Sequence, residues 1–313
     1  MALNGGSMKL KVLIRGPVLT RSGYGEQARF AMRSLRSRPD LFEIFIIPLT
    51  WGATSWVNED NEERRWMDER IRATAAYSQQ GGKFDVSMQV TIPNEFEKIA
   101  QFNIGYTAGI ETTKVAHEWI SAVNNMDHVM VVSNHSKKVF ESTSYTGKNE
   151  NDEDINLTTT TKIDAVTYPV KTYENLEDIE LDLKYDVNFI TMAQFGPRKN
   201  IENTIKWFVE EFRDDEVGLV IKGNQSKNSQ MDRTRTFWAL KSTIQEYGDT
   251  KCKIYLLHGD MSDEEIHSLY LHPKIKAYVG FPHGEGFGLP FFEAAYSGLP
   301  VVSPGWSGQL DFL

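Results

Sequence analysis

Residues 275–303 run IKAYVGFPHGEGFGLPFFEAAYSGLPVVS and contain, in order, a strand, a glycine-rich loop, a helix and a second strand. Ile275–Gly280 is short and apolar and ends at a glycine, which is typical of a buried strand. Leu289–Ser297 has apolar residues at helical spacing, and Pro300–Ser303 returns to a β pattern. A parallel sheet covered by helices is built from repeats of this order.

The same alternation runs through the rest of the chain and forms two sets. The first set has predicted strands at Lys9–Arg15, Glu43–Pro48, Phe84–Met88, Phe102–Thr107, His128–Val132 and Lys162–Thr167. Its predicted helices are Gly25–Arg36, Asn58–Tyr77, Thr113–Asn124 and Ser136–Ser144. The second set adds predicted strands at Val187–Gln194, Val217–Lys222 and Lys253–Leu257. Its further helices are predicted at Ile201–Phe212, Arg233–Tyr247 and Ser262–Leu271, the last opened by a capping-box pattern.

This order predicts an α/β protein of two Rossmann-like domains that face each other across a cleft. The first domain is expected over residues 8–168 and the second over residues 187–313, with the acidic stretch 169–186 as a linker. Open α/β sheets bind ligands beyond the carboxyl ends of their strands. The cleft, with motifs from both domains, is therefore the expected ligand site.

Composition fits this organisation and excludes several classes of protein. The chain has 313 residues, 40% of them hydrophobic and 25% charged, which suits two soluble domains. No apolar run reaches the roughly 18 residues of a membrane span. Residues 1–7 lack the features of a signal peptide, and we interpret them as a cloning remnant or a disordered lead. The single cysteine, Cys252, can form neither an intrachain disulfide nor a cysteine cluster for zinc, so a cytoplasmic protein is expected.

The charge distribution is uneven along the chain. The formal net charge of −9 disfavours a protein that binds nucleic acid mainly by charge. Residues 1–40 nevertheless hold eight basic side chains against Glu26 and Asp40, which gives 8 − 2 = +6. Two interpretations remain open, a solvated helix face and a basic surface that meets an anionic acceptor.

Residues 146–161, TGKNENDEDINLTTTT, lack apolar periodicity and are predicted to form a mobile loop or insertion. They contain a D-x-D sequence, Asp152 to Asp154, of the kind that can bind a metal ion. No strand precedes it and its neighbours are polar, so a solvated charge run explains it better. We expect no metal site in this chain.

A glycine pattern follows the first predicted strand. Gly23-Tyr24-Gly25 and Ala28 match G-x-G-x-x-A at the start of a helix, where glycine lets the backbone approach a phosphate or a sugar. A nicotinamide-binding domain would carry an acidic residue at the end of its second strand, and none stands there. The loop from Arg15 is also too long for the usual tight turn, which leaves an oxidoreductase as a weak alternative.

The loop at 282–289 is the stronger motif. Backbone N–H groups of such a loop, together with the positive end of the helix behind it, would face a diphosphate or sugar hydroxyls. Two glutamates, Glu285 and Glu293, stand eight residues apart, and Glu293 lies about one turn into the helix. Glu285 could instead cap a turn, and Glu293 could lie on a solvated face. The motif as a whole is too specific for that structural explanation.

The string resembles the E-x7-E signature of family 4 retaining glycosyltransferases, which have the GT-B fold. Five further segments agree with that family. Three lie in the second domain, QFGPRKN at 194–200, VIKG at 220–223 and GDMSDEEIHSLY at 259–270, and two lie in the first, YTAGIETTK at 106–114 and SNHSKKVF at 133–140. The resemblance covers about residues 8 to 313 and is strongest after residue 187. It departs from the family at 194–197, where an arginine is usual, and the chain stops before the C-terminal helix that family members usually have, so activity of this chain is in question.

The resemblance implies a site and a donor, a nucleoside-diphosphate sugar of UDP or GDP type, with no other cofactor and no metal. It assigns the catalytic roles to Glu285, Lys199 and Arg198. It assigns donor binding to Gly286, Phe287, Gly288, Leu289, Glu293, Lys222 and Gly223. It places Gly23, Tyr24, Gly25, Glu111 and His117 on the acceptor side of the first domain, although His117 also fits a structural role. The sugar, the base, the acceptor and the oligomeric state stay open, and so does a nucleotide-sugar- or carbohydrate-binding module without catalysis.

Overall fold

Parallel sheets covered by helices make up both parts of the computed structural model, which describes residues 9–148, 154–174 and 176–313. The chain divides into two compact units, Met1–Tyr168 and Pro169–Leu313. Each unit is a doubly wound α/β domain, so the predicted fold class is confirmed. The units are described one at a time below.

Over residues 9–148 and 154–168, the first unit contains eight strands and four α-helices. Its strands are β1 (Leu10–Gly16), β2 (Phe42–Pro48), β3 (Val86–Val90), β4 (Phe102–Thr107), β5 (His128–Val131), β6 (Ser144–Lys148), β7 (Asp154–Thr158) and β8 (Ile163–Ala165). Its helices are α1 (Gly23–Arg36), α2 (Glu62–Gln79), α3 (His117–Asn124) and α4 (Asn134–Ser142). Six strands form a parallel sheet in the order β2-β1-β3-β4-β5-β8.

The segment predicted as a mobile loop is in part a β ribbon. Strand β6 pairs antiparallel with β7, and Tyr145 lies opposite Leu157. Both side chains pack against a core that contains Phe140 and Val139 of α4, which explains why the ribbon is stable. Its outer face is polar, so only every second residue carries the apolar signal. Asp154 is exposed at the start of β7. Asp152 lies outside the described residues.

In its described residues, 169–174 and 176–313, the second unit contains five strands and four α-helices. Its strands are β9 (Asn188–Gln194), β10 (Gly218–Asn224), β11 (Lys253–Leu257), β12 (Ile275–Val279) and β13 (Val301–Val302). Its helices are α5 (Ile201–Phe212), α6 (Gln230–Gln245), α7 (Asp263–Leu271) and α8 (Leu289–Tyr296). The sheet is parallel with the order β11-β10-β9-β12-β13.

Helices cover both faces of this second sheet. Leu219 and Ile221 of β10 pack into a cluster with residues of α5 and α6. Val220, between them, packs on the opposite face with residues of α7 and α8. This alternation follows from the period of two along a strand. A strand buried on both faces has few polar positions, which is why the apolar runs of this unit are easily recognised in the sequence.

The predicted linker packs as part of the second unit, which begins at Pro169. Leu183 is buried in the α7 and α8 cluster, and Ile179 and Leu181 pack against it. The Tyr185 hydroxyl donates a hydrogen bond to the Lys251 carbonyl over 2.8 Å. Alternate apolar residues at 179, 181 and 183 carry this signal, and the acidic residues between them obscure it.

The order of the second sheet creates a switch point. From β9 the chain adds β10 and β11 on one side, and it then returns to add β12 and β13 on the other side. Loops that leave the carboxyl ends of β9 and β12 therefore diverge and leave a crevice between them. Crevices of this kind are the usual ligand sites of open parallel sheets.

The start of α7 offers a test of the second unit's stability. The Ser262 hydroxyl accepts a hydrogen bond from the Glu265 N–H at 3.1 Å, and the Glu265 carboxylate accepts one from the Ser262 N–H at 2.6 Å. We predict that Ser262→Ala lowers the free energy of unfolding by about 1 kcal/mol, because the helix loses its cap. Urea denaturation followed by circular dichroism measures the change.

The matched control is Ser242→Ala, at an exposed position in the last turn of α6. Alanine is the better helix former there, so this variant should be unchanged or slightly more stable. Equal midpoints for the two variants would show that the capping box contributes nothing.

Candidate functional site

Two hydrogen bonds join the loops that follow β9 and β12. The His283 N–H donates to the Arg198 carbonyl over 2.8 Å. The Asn200 side-chain amide donates to the Phe281 carbonyl over 2.8 Å. Because each loop holds the other, the crevice between them is fixed by the backbone as well as by side chains.

Asn200 has a second role at the end of the first loop. Its φ is +54°, in the left-handed region, where the 3-10 turn Pro197–Lys199 ends and α5 begins. Asparagine tolerates this conformation better than most residues. The sequence analysis included Asn200 in the 194–200 segment but assigned it no role. A K-N pair immediately before a helix is the signal that could have identified it.

The three residues predicted to be catalytic come together in this crevice. The Lys199 Nζ lies 2.5 Å from the Glu285 Oε1, and an Arg198 guanidinium nitrogen lies 3.1 Å from the same oxygen. The Arg198 guanidinium also donates to the Gly284 carbonyl at 3.0 Å. Glu285 is 6% exposed. Two cations surround one carboxylate, so this cluster has a net charge of +1.

Further residues of the second unit line the same crevice. They come from both sides of the switch point and combine apolar walls with a few polar groups: Thr191, Met192, Ala193, Ile201, Tyr278, Gly280, Pro282, Pro290 and Phe291. An apolar lining with a small number of convergent polar groups is typical of ligand sites.

The backbone of Glu285 is held by the last segment of the chain. The Glu285 N–H donates to the Ser307 hydroxyl at 3.1 Å, and the Gly308 N–H donates to the Glu285 carbonyl at 2.9 Å. Ser307 is buried and has a φ of +70°, which is uncommon for serine. The Ser307 hydroxyl in turn donates to the Gln309 side-chain oxygen at 2.8 Å. The sequence analysis missed these residues, and only the S-G pair at 307–308 hints at a turn.

The glycine loop leads directly into α8. Gly286, Phe287 and Gly288 are buried, and Gly288 has a φ of +90° at the helix N-cap, a conformation that favours glycine. Leu289 is the first residue of the helix, followed by Pro290. The first N–H groups of a helix have no partner within the helix, so they are available to a ligand at this end.

Glu293 is half-buried in the second turn of α8. The Tyr270 hydroxyl of α7 donates to the Glu293 Oε2 over 3.3 Å. Burial, and next the negative charge of Glu293, raise the pKa of Tyr270 well above its usual value. Tyr270 therefore stays protonated and serves as a donor that fixes the direction of the carboxylate. This contact could not be read from the sequence because the two residues lie on different helices.

Lys222 and Gly223 lie at the carboxyl end of β10, next to β9. The Lys222 ammonium donates to the Gly259 carbonyl and so ties β10 to the loop after β11. A Cβ on Gly223 would lie 2.3 Å from the Ala193 carbonyl oxygen, so only glycine fits there. Both predicted donor residues are thus at the same edge of the sheet as the cluster.

A buried pair of side chains holds the neighbouring loop. The His258 Nε2 lies 2.9 Å from the Asp232 Oδ2, and both side chains are almost fully buried. The Asp232 carboxylate also accepts the N–H of Ser226 at 3.1 Å and that of Gln225 at 3.3 Å. The sequence analysis did not identify this pair.

The predicted residues of the first unit have different surroundings. The Tyr24 hydroxyl hydrogen-bonds with the Thr107 hydroxyl at 2.8 Å and accepts the Ala108 N–H at 3.1 Å. Burial raises the pKa of Tyr24 to about 12. A Cβ on Gly25 would lie 2.1 Å from the Thr20 carbonyl oxygen, so Gly25 has a packing role, whereas Gly23 is exposed and open.

Glu111 is half-buried, and its charge contributes to the raised pKa of Tyr24, which places the two residues near each other. His117 is the first residue of α3 and lies within the predicted helix Thr113–Asn124. Its Nδ1 lies 2.9 Å from the Glu118 carboxylate, and its ring contacts the Tyr145 ring edge to face. The His117 side chain is 61% exposed.

The basic N-terminal stretch does not form a basic surface. Six of its arginines have carboxylate partners, which are Arg15 with Glu97, Arg21 with Glu59, Arg29 with Glu26, Arg33 with Glu63, Arg36 with Glu62 and Arg38 with Asp40. Most of these carboxylates lie outside residues 1–40, so the local sum of +6 did not include them. The charge argument for an anionic acceptor therefore no longer holds.

The fold and the site together define an α/β protein with a ligand crevice at the switch point of its second sheet. Residues 177–311, which contain the whole of that crevice, match the family model "Glycosyl transferases group 1". A 116-residue stretch, 37% of this chain, is 31% identical to the serotype-specific mannosyltransferase WbdA of Escherichia coli. It covers 13% of that protein's length.

Solved structures extend the comparison to the whole chain. The apo lipopolysaccharide outer core galactosyltransferase WaaB aligns with a TM-score of 0.52 and 13% identity, over 98% of this chain and 83% of its own. The catalytic domain of Starch Synthase IV from Arabidopsis thaliana, bound to ADP and acarbose, aligns with a TM-score of 0.55 and 11% identity, over 97% and 84%. At these identities the likeness shows the fold, which is GT-B with two Rossmann-like domains. This chain is thus similar to glycosyltransferases, over residues 177–311 in sequence and over nearly its whole length in fold.

No helix among the described residues is long and apolar enough to cross a membrane. In the same residues, no group of three or more histidine, cysteine, aspartate or glutamate side chains is placed to hold a metal ion.

The contact behind the Glu285 loop predicts the effect of a small substitution. A Cβ on Gly308 would lie 2.1 Å from the Gly286 carbonyl oxygen, so the two backbone segments would have to separate. We predict that Gly308→Ala lowers the free energy of unfolding by about 1–3 kcal/mol, as overpacking usually does. Urea denaturation measures it.

Gly305→Ala is the matched control, because nothing lies within 4 Å of a Cβ at that position. That variant should be neutral or slightly more stable, since alanine restricts the unfolded chain. A Gly308→Ala variant as stable as Gly305→Ala would show that the two segments are not packed against each other.

Proposed function

We propose that this chain transfers a sugar from a nucleoside-diphosphate sugar of UDP or GDP type to an acceptor, with retention of the anomeric configuration. The observation that carries the proposal is the cluster of Glu285, Lys199 and Arg198 at the switch point, within the segment that matches the group 1 family. The names of two similar proteins, a mannosyltransferase and a galactosyltransferase, favour a hexose as the sugar.

The main requirement of this reaction is to stabilise negative charge on the leaving group. As the glycosidic bond breaks, negative charge builds on the nucleoside diphosphate. Lys199 and Arg198 would stabilise that charge, helped by the N–H groups of Phe287, Gly288 and Leu289 at the positive end of α8. Fixed charges in a largely apolar crevice need no reorganisation during the reaction, so they act more strongly than solvent would. Lys222 and Gly223 lie at the same edge of the sheet and would also take part in binding the diphosphate.

Glu285 is proposed to orient the hydroxyls of the donor sugar. Its carboxylate is shared by two cations at 2.5 and 3.1 Å, which draw off its charge and make it a poor nucleophile. Same-face attack through an oxocarbenium-like state suits this arrangement better than a covalent intermediate. The two-carboxylate mechanism of retaining hydrolases is therefore not proposed here.

Glu293 is proposed to accept hydrogen bonds from the ribose hydroxyls. The Tyr270 hydroxyl donates to the Glu293 Oε2 at 3.3 Å and so helps to orient the carboxylate for this role. The acceptor side is proposed to lie in the first unit, with Gly23, Tyr24, Gly25 and Glu111. The identity of the acceptor is left open, and the anionic class has no remaining support from charge.

Metal dependence tests the diphosphate proposal. If Lys199 and Arg198 are the charge partners, UDP or GDP should bind with the same affinity in EDTA and in excess Mg²⁺. Isothermal titration calorimetry in both buffers checks this, and Lys199→Met should weaken binding in both. Binding that is strictly dependent on Mg²⁺ or Mn²⁺ would overturn this assignment.

The two glutamates should behave differently when each is replaced by alanine. Glu293→Ala removes an interaction present in ground and transition states, so nucleoside diphosphate binding should weaken by about 1–3 kcal/mol. Glu285→Ala leaves two cations without their carboxylate, so the diphosphate should bind as tightly as before or up to about tenfold more tightly. Transfer should nevertheless fall severely, because the donor sugar loses its orienting group.

Titration of UDP or GDP, together with a sugar-transfer assay, separates these effects. Glu246→Ala, an exposed glutamate at the end of α6, is the control and should change neither. If Glu285→Ala abolishes nucleotide binding while Glu293→Ala leaves it intact, the two roles have been assigned the wrong way round.

A further inference from the structure

Helix α6 carries three large apolar side chains that point away from the protein. Met231 is 69% exposed, Trp238 is 57% exposed and Phe237 is 48% exposed. The buried residues of the helix, Asp232, Thr236 and Leu240, recur every four positions and face the sheet. A single exposed apolar residue is ordinary, but three within about two turns of one helix form a patch.

Basic side chains surround this patch. Arg233 and Arg235 are exposed on α6, Lys227 is exposed just before it, and Lys241 lies over the Trp238 ring at 4.8 Å. The only acidic residue between positions 227 and 245 is Asp232. It is buried and paired with His258, so it does not offset the surface charge. This face is thus positively charged on a chain whose net charge is −9.

The residues that hold α6 in place are separate from those on this face. Leu240 belongs to the cluster that α5 and β10 share, and Asp232 is fixed by His258 and by two backbone N–H groups. The exposed side chains are therefore not needed to dock the helix on its own sheet. Exposing large apolar side chains to water is unfavourable, and the packing of this unit does not explain why these three are exposed.

We propose that this aromatic–basic face of α6 docks on an anionic lipid bilayer. The face consists of Lys227, Met231, Arg233, Arg235, Phe237, Trp238 and Lys241. Tryptophan, phenylalanine and methionine would enter the boundary between headgroups and acyl chains, and the cations would contact anionic headgroups. A 16-residue helix is about 24 Å long, which lets it lie in the plane of the interface.

The shape and chemistry of the face favour a bilayer over a macromolecular partner. The outer side of a helix is convex, and it suits a soft planar surface better than a partner that must offer a matching groove. A nucleic acid would neutralise the cations but would leave Met231 and Trp238 in water, except where bases are splayed out. An acidic protein would need its own apolar groove of the right shape. Both are outcomes that the experiment separates.

This proposal does not depend on the proposed function, because lipid binding is measured without donor or acceptor. Flotation with phosphatidylcholine vesicles, with and without phosphatidylserine, measures it on the full chain. We expect binding to the anionic vesicles alone, and we expect it to weaken with added salt. A blue shift of tryptophan emission should accompany binding and should be smaller in Trp238→Phe.

Two variants test the two parts of the face. Met231→Ser with Trp238→Ser removes two of its three large apolar side chains, and Arg233→Glu with Arg235→Glu cancels its positive charge. Each basic residue at an anionic surface strengthens binding by about fivefold, so the charge variant should lose well over tenfold in partition coefficient. The apolar variant should lose about tenfold or more. Arg72→Glu, an exposed arginine on α2, is the control and should bind like the parent.

Circular dichroism and urea midpoints equal to those of the parent establish that each variant is folded. Absence of binding to phosphatidylserine vesicles by the folded parent overturns the proposal. So does a charge variant that binds as well as Arg72→Glu. Binding to a duplex or single-stranded oligonucleotide, or to polyglutamate, that outcompetes the vesicles would assign the face to a macromolecular partner instead.

Discussion

The ion cluster of Glu285 with Lys199 and Arg198 is the interaction on which the architecture of the site depends. A carboxylate as buried as Glu285 would be costly without partners, because burial disfavours the charged form. Its two partners come from another loop, more than 80 residues earlier in the chain. Removing either loop from its position would therefore leave a buried charge without its partner.

Two residues with uncommon backbone conformations help to position this cluster. Asn200 and Ser307 are the two non-glycine residues with positive φ in the described part of the chain, and both lie next to the cluster. One ends the turn that carries Lys199, and the other accepts the N–H of Glu285. Sparsely populated backbone conformations persist only where surrounding contacts determine them, and they concentrate at functional sites. Their position here supports the assignment of this crevice as the site.

Much of the fold could be predicted from the sequence because buried parallel strands are apolar along their length. Helix α5 and strand β11, for example, begin and end where the sequence pattern placed them. The β6–β7 ribbon was missed because only alternate residues contact the core, so its composition is typical of a loop. The residues 179, 181 and 183 were missed for the same reason. Half-buried structure leaves a weaker signal than fully buried structure.

Within the site, the sequence motifs predicted which residues belong to the site but not which of them contact one another. Glu285, Lys199 and Arg198 were recognised individually, yet their mutual contact depends on the strand order, which places β12 beside β9. The Tyr270 contact with Glu293 and the Asp232 contact with His258 likewise join separate elements. Spacing along a chain reports neighbours on one helix or strand only. Contacts across elements require the topology.

The same limit explains why local charge sums led to opposite results in the two units. The N-terminal stretch is rich in arginine, but carboxylates at 59–63 and 97 neutralise much of it in space. Helix α6 carries fewer cations, but its one acidic residue, Asp232, is buried and paired with His258. Whether a basic sequence becomes a basic surface is therefore decided by where its acidic neighbours point. In this chain it is the modest cluster on α6, and not the dense one at the N-terminus, that keeps its charge at the surface.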